Sequence, residues 1–275
     1  MFCRFVLIAL ALAGLTLSAA RAGELEQYFS TNDPKATMTV DHSAWQAILG
    51  RYVVAPPDGI NRFAYGRVSA ADKAALKAYL AALQRVKVTA LQADEQRAFW
   101  INLYNGLTID VVVGRYPVAT IKDISLGGSF FVPGPWKKEL VTVEGRKLSL
   151  DNIEHDILRK VWRDPRVHYA VNCASIGCPN LAPRAWRAET LDKYLDMAAR
   201  AFINHPRGVL VRADGTLQVS SIYKWYKQDF GGTNAGVIDH LRRYAGPELS
   251  AKLAAGVRGF DDEYDWTLNQ VGGRV

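Results

Sequence analysis

"RAFWINLYNGLTIDVVV", residues 97 to 113, sets apolar side chains on every side of a helical wheel instead of along one stripe. A helix that is apolar all round is a buried one. The stretch therefore predicts a central helix from about Asp94 to Val113, stopped by Gly114 and Pro117, around which the rest of the chain must pack. Asn102 and Asn105 are three residues apart and share a face among Ala98, Ile101, Ile109 and Val112. A buried amide left unpaired costs ~1–3 kcal/mol. Each must then either tie a neighbouring loop by its backbone or donate to a ligand, and both readings stay open.

Working outward, Asp41 precedes a helical pattern at Trp45, Ile48 and Leu49, and Ser69-Ala-Ala-Asp72 resembles a capping box opening a helix to about Val86. "ELVTVEGRKLSL" alternates and turns at Glu144-Gly145; "GVLVRADGTLQVS" does the same at Asp214-Gly215. Both predict β-hairpins. Ser149 caps a helix through Trp162, and alternation from Arg166 to Asn172 predicts a strand. Helices follow at about Glu189 to Ile203, Ile222 to Phe230, Asn234 to Tyr244 and Pro247 to Ala254. The sum is an α+β fold: one predominantly helical domain over 23–275 with a small antiparallel or mixed sheet and a buried central helix.

The first 22 residues read differently. Arg4, an apolar run from Phe5 to Leu17, and Ala20-Arg21-Ala22 before Gly23 have the order of a signal peptide. The run is shorter than the ~20 residues of a spanning helix. The mature chain is expected to be periplasmic or secreted, with no transmembrane segment once the leader is removed. Of three cysteines, Cys3 goes with the leader, and Cys173 and Cys178 remain in a compartment where thiols oxidise. The formal charge of +7 drops by two with Arg4 and Arg21, and its basic residues are scattered. Nucleic acid is disfavoured as a partner.

Three segments carry candidate chemistry. In "SLDNIEHDILRKVW", the stripe of Leu150, Ile153, Ile157, Leu158 and Val161 has Glu154 near its centre, so a carboxylate points inward. Such a group needs a cation, hydrogen-bond donors or a proton. His155 lies at the stripe's edge, on a cleft wall, while Asp156, Arg159 and Lys160 face solvent. In "RVHYAVNCASIGCPNL", strand alternation puts His168, Ala170 and Asn172 on one face and Cys173 on the other, which makes His155 the better base for that thiol and Glu154 the natural companion of His168. His155, His168, Cys173 and Cys178 have no recognised metal-ligand spacing, and neither metal nor cofactor is expected.

Together with "AFWINLYNGLTI", "SSIYKWYKQDFGG" and "YDWTLN", these segments resemble the domain-of-unknown-function family 547 over roughly Trp45 to Asn269. The matching positions are Asn102, Tyr104, Asn105, Glu154, His155, His168, Asn172, Cys173, Cys178, Pro179, Trp225, Asp229, Asp265 and Trp266. The resemblance implies an exported bacterial protein and no particular reaction. A looser resemblance is to papain-like and transglutaminase-like enzymes, but the central helix here has no cysteine.

Two readings follow. In the first, Cys173 and Cys178 form a disulfide, and Asn102, Tyr104, Asn105, Asn172 and Asp265 help shape a binding site for a cell-envelope ligand or protein partner. In the second, the chain is a thiol-dependent hydrolase or acyltransferase, with Cys173 as nucleophile, His155 or His168 as base and Glu154 in support. Export and an even cysteine count favour the disulfide. Protein secreted from a bacterial host is expected to begin at or near Gly23 by intact mass, and full-length chain in the membrane fraction would contradict the leader.

Overall fold

The computed structural model describes residues 23–126 and 134–272. The leader expected at 1–22 lies outside them. After a short helix at 23–29, the described residues of the first half form α1 (Ser43–Tyr52), α2 (Ala70–Leu83) and α3 (Ala93–Val113). Ser69 Oγ accepts from Asp72 N and donates to the Asp72 carboxylate, as the capping pattern requires. Helix α3 is the central helix. Gln92 caps it by accepting from Asp94 and Glu95 N–H, and from Glu95 to Val113 every residue except Asp110 is buried. Gln96 Nε2 donates to the carbonyls of Thr31 and Val88, anchoring the segments before the helix.

Around α3 lies the larger apolar core, which takes in Trp45, Phe63, Leu80, Trp100, Ile153 and Leu195. Strands β1 (Val53–Val54) and β2 (Arg62–Phe63) pair antiparallel beside it, as do β3 (Val141–Val143) and β4 (Arg146–Leu148). Positive φ at Glu144 (47°) and Gly145 (78°) makes the second connection a two-residue turn with the twist a tight hairpin needs. Helix α4 covers 150–162. Ser149 Oγ accepts from Asn152 N, and the helix winds as a π-helix from Asn152 to Leu158 before closing as an α-helix.

A second, smaller core forms from α5 (Leu191–Ile203), α6 (Ile222–Trp225), α7 (Asn234–Tyr244), α8 (Pro247–Ala254) and a three-stranded sheet. In that sheet β5 (Val209–Val211) runs antiparallel to β6 (Thr216–Ser220), and β7 (Gly259–Glu263) runs parallel to β6. Strand β7 has the sequence GFDDE, whose acidic edge carries no apolar alternation to announce it.

The strand expected from Arg166 to Asn172 does not form. Pro165–Tyr169 is a 3-10 helix, because Asp164 accepts from Arg166 N–H and Pro165 fills the first turn, where its missing N–H costs nothing. Asp164 is itself held by a buried ion pair with Arg97 of α3 at 3.0 Å. The helical turn sends Val167 and Ala170 into the larger core and Tyr169 into the smaller. His168 and Cys173 therefore do not sit on opposite faces of a sheet.

Two further histidines are buried in the packing. His42 Nδ1 lies 2.7 Å from Tyr79 Oη, and His240 Nε2 lies 2.8 Å from Tyr169 Oη. Burial, reinforced by Arg187 near His42 and Arg243 near His240, lowers each pKa from 6.5 to about 4. Because the folded values are depressed, the unfolded chain takes up protons first as pH falls. Stability should be full above about pH 6.5 and decline towards pH 4. The loss should approach roughly 3 kcal/mol per histidine. Urea midpoints at pH 7 and pH 4.5 test this, and the double variant His42→Gln/His240→Gln should show a markedly flatter pH dependence.

Candidate functional site

Where the two cores meet, a cleft of about 340 Å³ opens, a size usual for small-molecule sites. Helix α3 contributes Tyr104, and α4 contributes Asp151, Glu154 and His155. The segment after the 3-10 helix adds Cys173, Cys178 and Pro179. The smaller core brings Trp225 and Tyr226, and the chain after β7 brings Tyr264 and Trp266.

The winding of α4 explains part of this. A π turn closes i→i+5, and Arg159 N–H bonds the Glu154 carbonyl, which stacks Arg159 above Glu154. Arg159, expected in solvent, instead forks onto Asp229: Nε to Oδ2 at 2.6 Å and Nη2 to Oδ1 at 3.0 Å. Its guanidinium also lies over the Tyr226 ring at 4.6 Å. Asp229 Oδ2 accepts from His168 Nε2 at 2.7 Å, so His168 Nδ1 faces the other way, 4.0 Å from Glu154 Oε1. Tyr226 stacks on the imidazole at 4.4 Å between centroids, and Phe230 covers it at 5.3 Å.

Burial lowers the His168 pKa further than the hydrogen bond from Nε2 to Asp229 raises it, and the ring is neutral at pH 7. Burial alone would raise the Asp229 carboxyl, but hydrogen bonds from His168 and Arg159 hold it well below the usual carboxylate range. The unit is thus a neutral imidazole oriented by an ionised carboxylate, itself locked by a guanidinium. Glu154 is buried at 7% exposure, as its place on the stripe predicts. After burial itself, its charge is the largest influence raising the pKa values of Tyr104 and Tyr226, so both phenols keep their protons. His155 stands half-buried on the cleft wall, with Nδ1 3.8 Å from Glu154 Oε1, Nε2 3.8 Å from Asp151 Oδ1, and Arg159 Nη1 donating to Nδ1 at 3.2 Å.

Cys173 and Cys178 form a disulfide, with Cα atoms 6.2 Å apart. Gly177 lets the bridged loop lie against the chain after β7. A Cβ there would stand 2.9 Å from the backbone N and O of Asp265. Gly177 N–H donates to that Asp265 carbonyl at 2.8 Å.

The expected binding residues divide. Tyr104 lines the cleft. Asn102 exchanges two hydrogen bonds with the Trp186 backbone, and Asn105 donates to the Ala170 carbonyl and accepts from Asn172 N–H. Asn172 donates to the Pro179 carbonyl and accepts from Ala174 N–H. The three asparagines therefore hold the segment that carries the site, each with backbone partners. Asp265 is exposed, and its carboxylate caps Thr267 N–H. Arg159, Trp136, Tyr226 and Tyr264, and the role of Asp229, escape reasoning from the sequence. An inward Glu154 calls for a cation, which is the one signal pointing to Arg159.

Among known proteins, residues 88–203 match the model of a family described as "Protein of unknown function, DUF547". That match is shorter than the resemblance drawn from the motifs. It holds Tyr104, Glu154, His155, His168 and both cysteines, whereas Trp225, Asp229, Tyr264 and Trp266 lie beyond it. No curated protein and no solved structure matches the chain.

Replacing Glu154 by Gln should be milder than replacing it by Leu. The amide still accepts hydrogen bonds, while Leu strands the surrounding hydroxyls at ~1–3 kcal/mol each. Urea melts of the two variants check this, and a Leu variant as stable as the parent would contradict the packing around Glu154.

Proposed function

We propose that this chain, whose residues 88–203 match the DUF547 family model, is an exported binding domain whose cleft takes a saccharide of the cell envelope. One observation carries the reading: the cleft is lined both by a cluster of aromatic rings and by a dense set of polar groups. Trp225 and Trp266 stack at 5.6 Å between centroids, and Tyr264 packs on both at 4.8 and 4.7 Å. Trp225 is nonetheless 46% exposed, leaving ring surface for a ligand. The same cleft is lined by Asp151, Glu154, His155 and His168.

A sugar ring matches both kinds of lining, with an apolar face of C–H groups and an edge of hydroxyls or acetamide. Orientation by a few fixed polar groups within an apolar wall is how small-molecule sites achieve specificity. The hydrolase reading requires a free thiolate at Cys173, and the bridge to Cys178 consumes it. Binding is the function this geometry supports best.

Titration with an N-acetylated amino-sugar disaccharide should change the tryptophan fluorescence saturably. Trp225→Ala, at an exposed position that leaves the fold intact, should weaken binding by about tenfold, or ~1.4 kcal/mol. No fluorescence change with the disaccharide or with solubilised envelope glycan would overturn the reading.

A further inference from the structure

The sulfur atoms of the bridge are unequal. Both cysteines line the cleft, but Cys173 is half-buried while Cys178 is only 4% exposed. Cys178 Sγ accepts two hydrogen bonds, from Cys173 N–H at 2.9 Å and from Tyr264 Oη at 3.1 Å. Tyr264 Oη also lies 2.9 Å from Cys173 Sγ and 2.9 Å from Ser175 Oγ, which is itself 3.2 Å from Cys173 Sγ. A bridge that serves only to pin a turn has no need of donors at its sulfurs. Donors there stabilise negative charge on sulfur, and that charge exists only once the bridge opens.

Behind the loop lies a fixed cation. Arg207 Nη1 donates to the Ile176 carbonyl and Nη2 to the Asn180 amide oxygen, both neutral acceptors. Burial draws its pKa down only to about 10, so the charge persists at neutral pH.

We propose that Cys173–Cys178 is a redox-active disulfide that oxidises a small thiol admitted to the cleft. The inference goes beyond saccharide binding and needs of that reading only an open cleft. The incoming thiolate attacks Cys173 Sγ, on the more exposed cysteine. The bond to Cys178 breaks, and its electron pair leaves on Cys178 Sγ, where the Cys173 amide and the Tyr264 hydroxyl receive the charge. Glu154 and His155, on the same cleft, are placed to take the proton of the entering thiol. A second thiolate then attacks the substrate sulfur of the mixed disulfide and releases Cys173 as a thiolate. Two thiols become one disulfide and the bridge becomes a dithiol: its two electrons come from the thiols, and the two protons they release, carried by Glu154, His155 and bulk water, return to the two cysteine thiolates. Attack is directional because Cys173 is the more accessible sulfur and because the backbone N–H of Cys173 serves Cys178 Sγ, while the Tyr264 hydroxyl lies within reach of both.

Oxidised protein is incubated with glutathione at neutral pH, quenched in acid, alkylated and digested for mass analysis. Glutathione is expected on Cys173 and the alkyl label on Cys178, forming at least ~10-fold faster than in a bridged synthetic peptide of residues 167–180. Tyr264→Phe, which keeps the ring against Trp225 and Trp266, should slow exchange by about tenfold through loss of one donor at the leaving sulfur. Glutathione on Cys178, a native rate no greater than the peptide's, or an unchanged rate in Tyr264→Phe would overturn the proposal. Disaccharide titration of the same preparation separates the two readings: binding without exchange removes the redox activity alone, and exchange without binding removes the saccharide alone.

Discussion

One amide holds the site to the fold. Asn105, 1% exposed on the central helix, donates through Nδ2 to the Ala170 carbonyl at 2.9 Å and accepts through Oδ1 from Asn172 N–H at 2.8 Å. At that depth of burial, an absent partner would cost the desolvation of each group, ~1–3 kcal/mol. Those two contacts bracket the point where the chain leaves its 3-10 turn. His168 lies just before them and Cys173 just after. An irregular segment thereby acquires the rigidity of a buried helix, and Asn102 does the same for the backbone at Trp186.

The charges then arrange themselves by competition for Arg159. Asp229 takes both arms of the guanidinium and stays ionised. With Nε2 committed to Asp229, His168 directs its other nitrogen at Glu154 and not at a sulfur. Among the described residues, the hydrogen-bond partners of the two sulfurs are Tyr264, Ser175 and the Cys173 amide. The site thus contains a histidine–carboxylate pair and a reactive pair of sulfurs served by different donors. A papain-type relay, in which one histidine deprotonates the cysteine, is not the arrangement found.

Much of the fold was legible because it follows from local rules. The all-round apolar pattern marked the buried helix, Ser69 and Ser149 marked helix starts, and Glu144-Gly145 marked a hairpin. Within the site, the inward Glu154 and the wall position of His155 followed from a single wheel. The misreadings have physical causes. Alternation suggested a strand at 166–172, but the Asp164-Pro165 cap outweighed it, since a capped turn satisfies its first N–H groups without a partner strand. Arg159 was placed in solvent by a 3.6-residue period that the π turn does not obey. Trp225, Tyr264 and Trp266 reach the cleft, and Asp229 reaches His168, through long-range packing, and nothing local to their own segments announces those destinations.

Three departures from local rules lie at or beside the cleft. They are the π turn of α4, the 3-10 turn bearing His168, and Ala174 at φ 60°, next to the cleft-lining Cys173. A non-glycine residue in the left-handed region costs ~1–3 kcal/mol and persists only where its surroundings over-determine it. At Ala174 they do: its N–H donates to Asn172 Oδ1 at 2.9 Å and its carbonyl accepts from Asn269 N–H at 3.0 Å. Asn172 is in turn fixed by Asn105 and by the Pro179 carbonyl. The buried asparagines therefore act in series, from the central helix to the strained residue beside Cys173. A fold that needed only a pinned surface turn could reach it with a glycine and no such chain of amides. The expense of holding Ala174 is understandable if the position of the Cys173 sulfur on the cleft wall is what the network maintains.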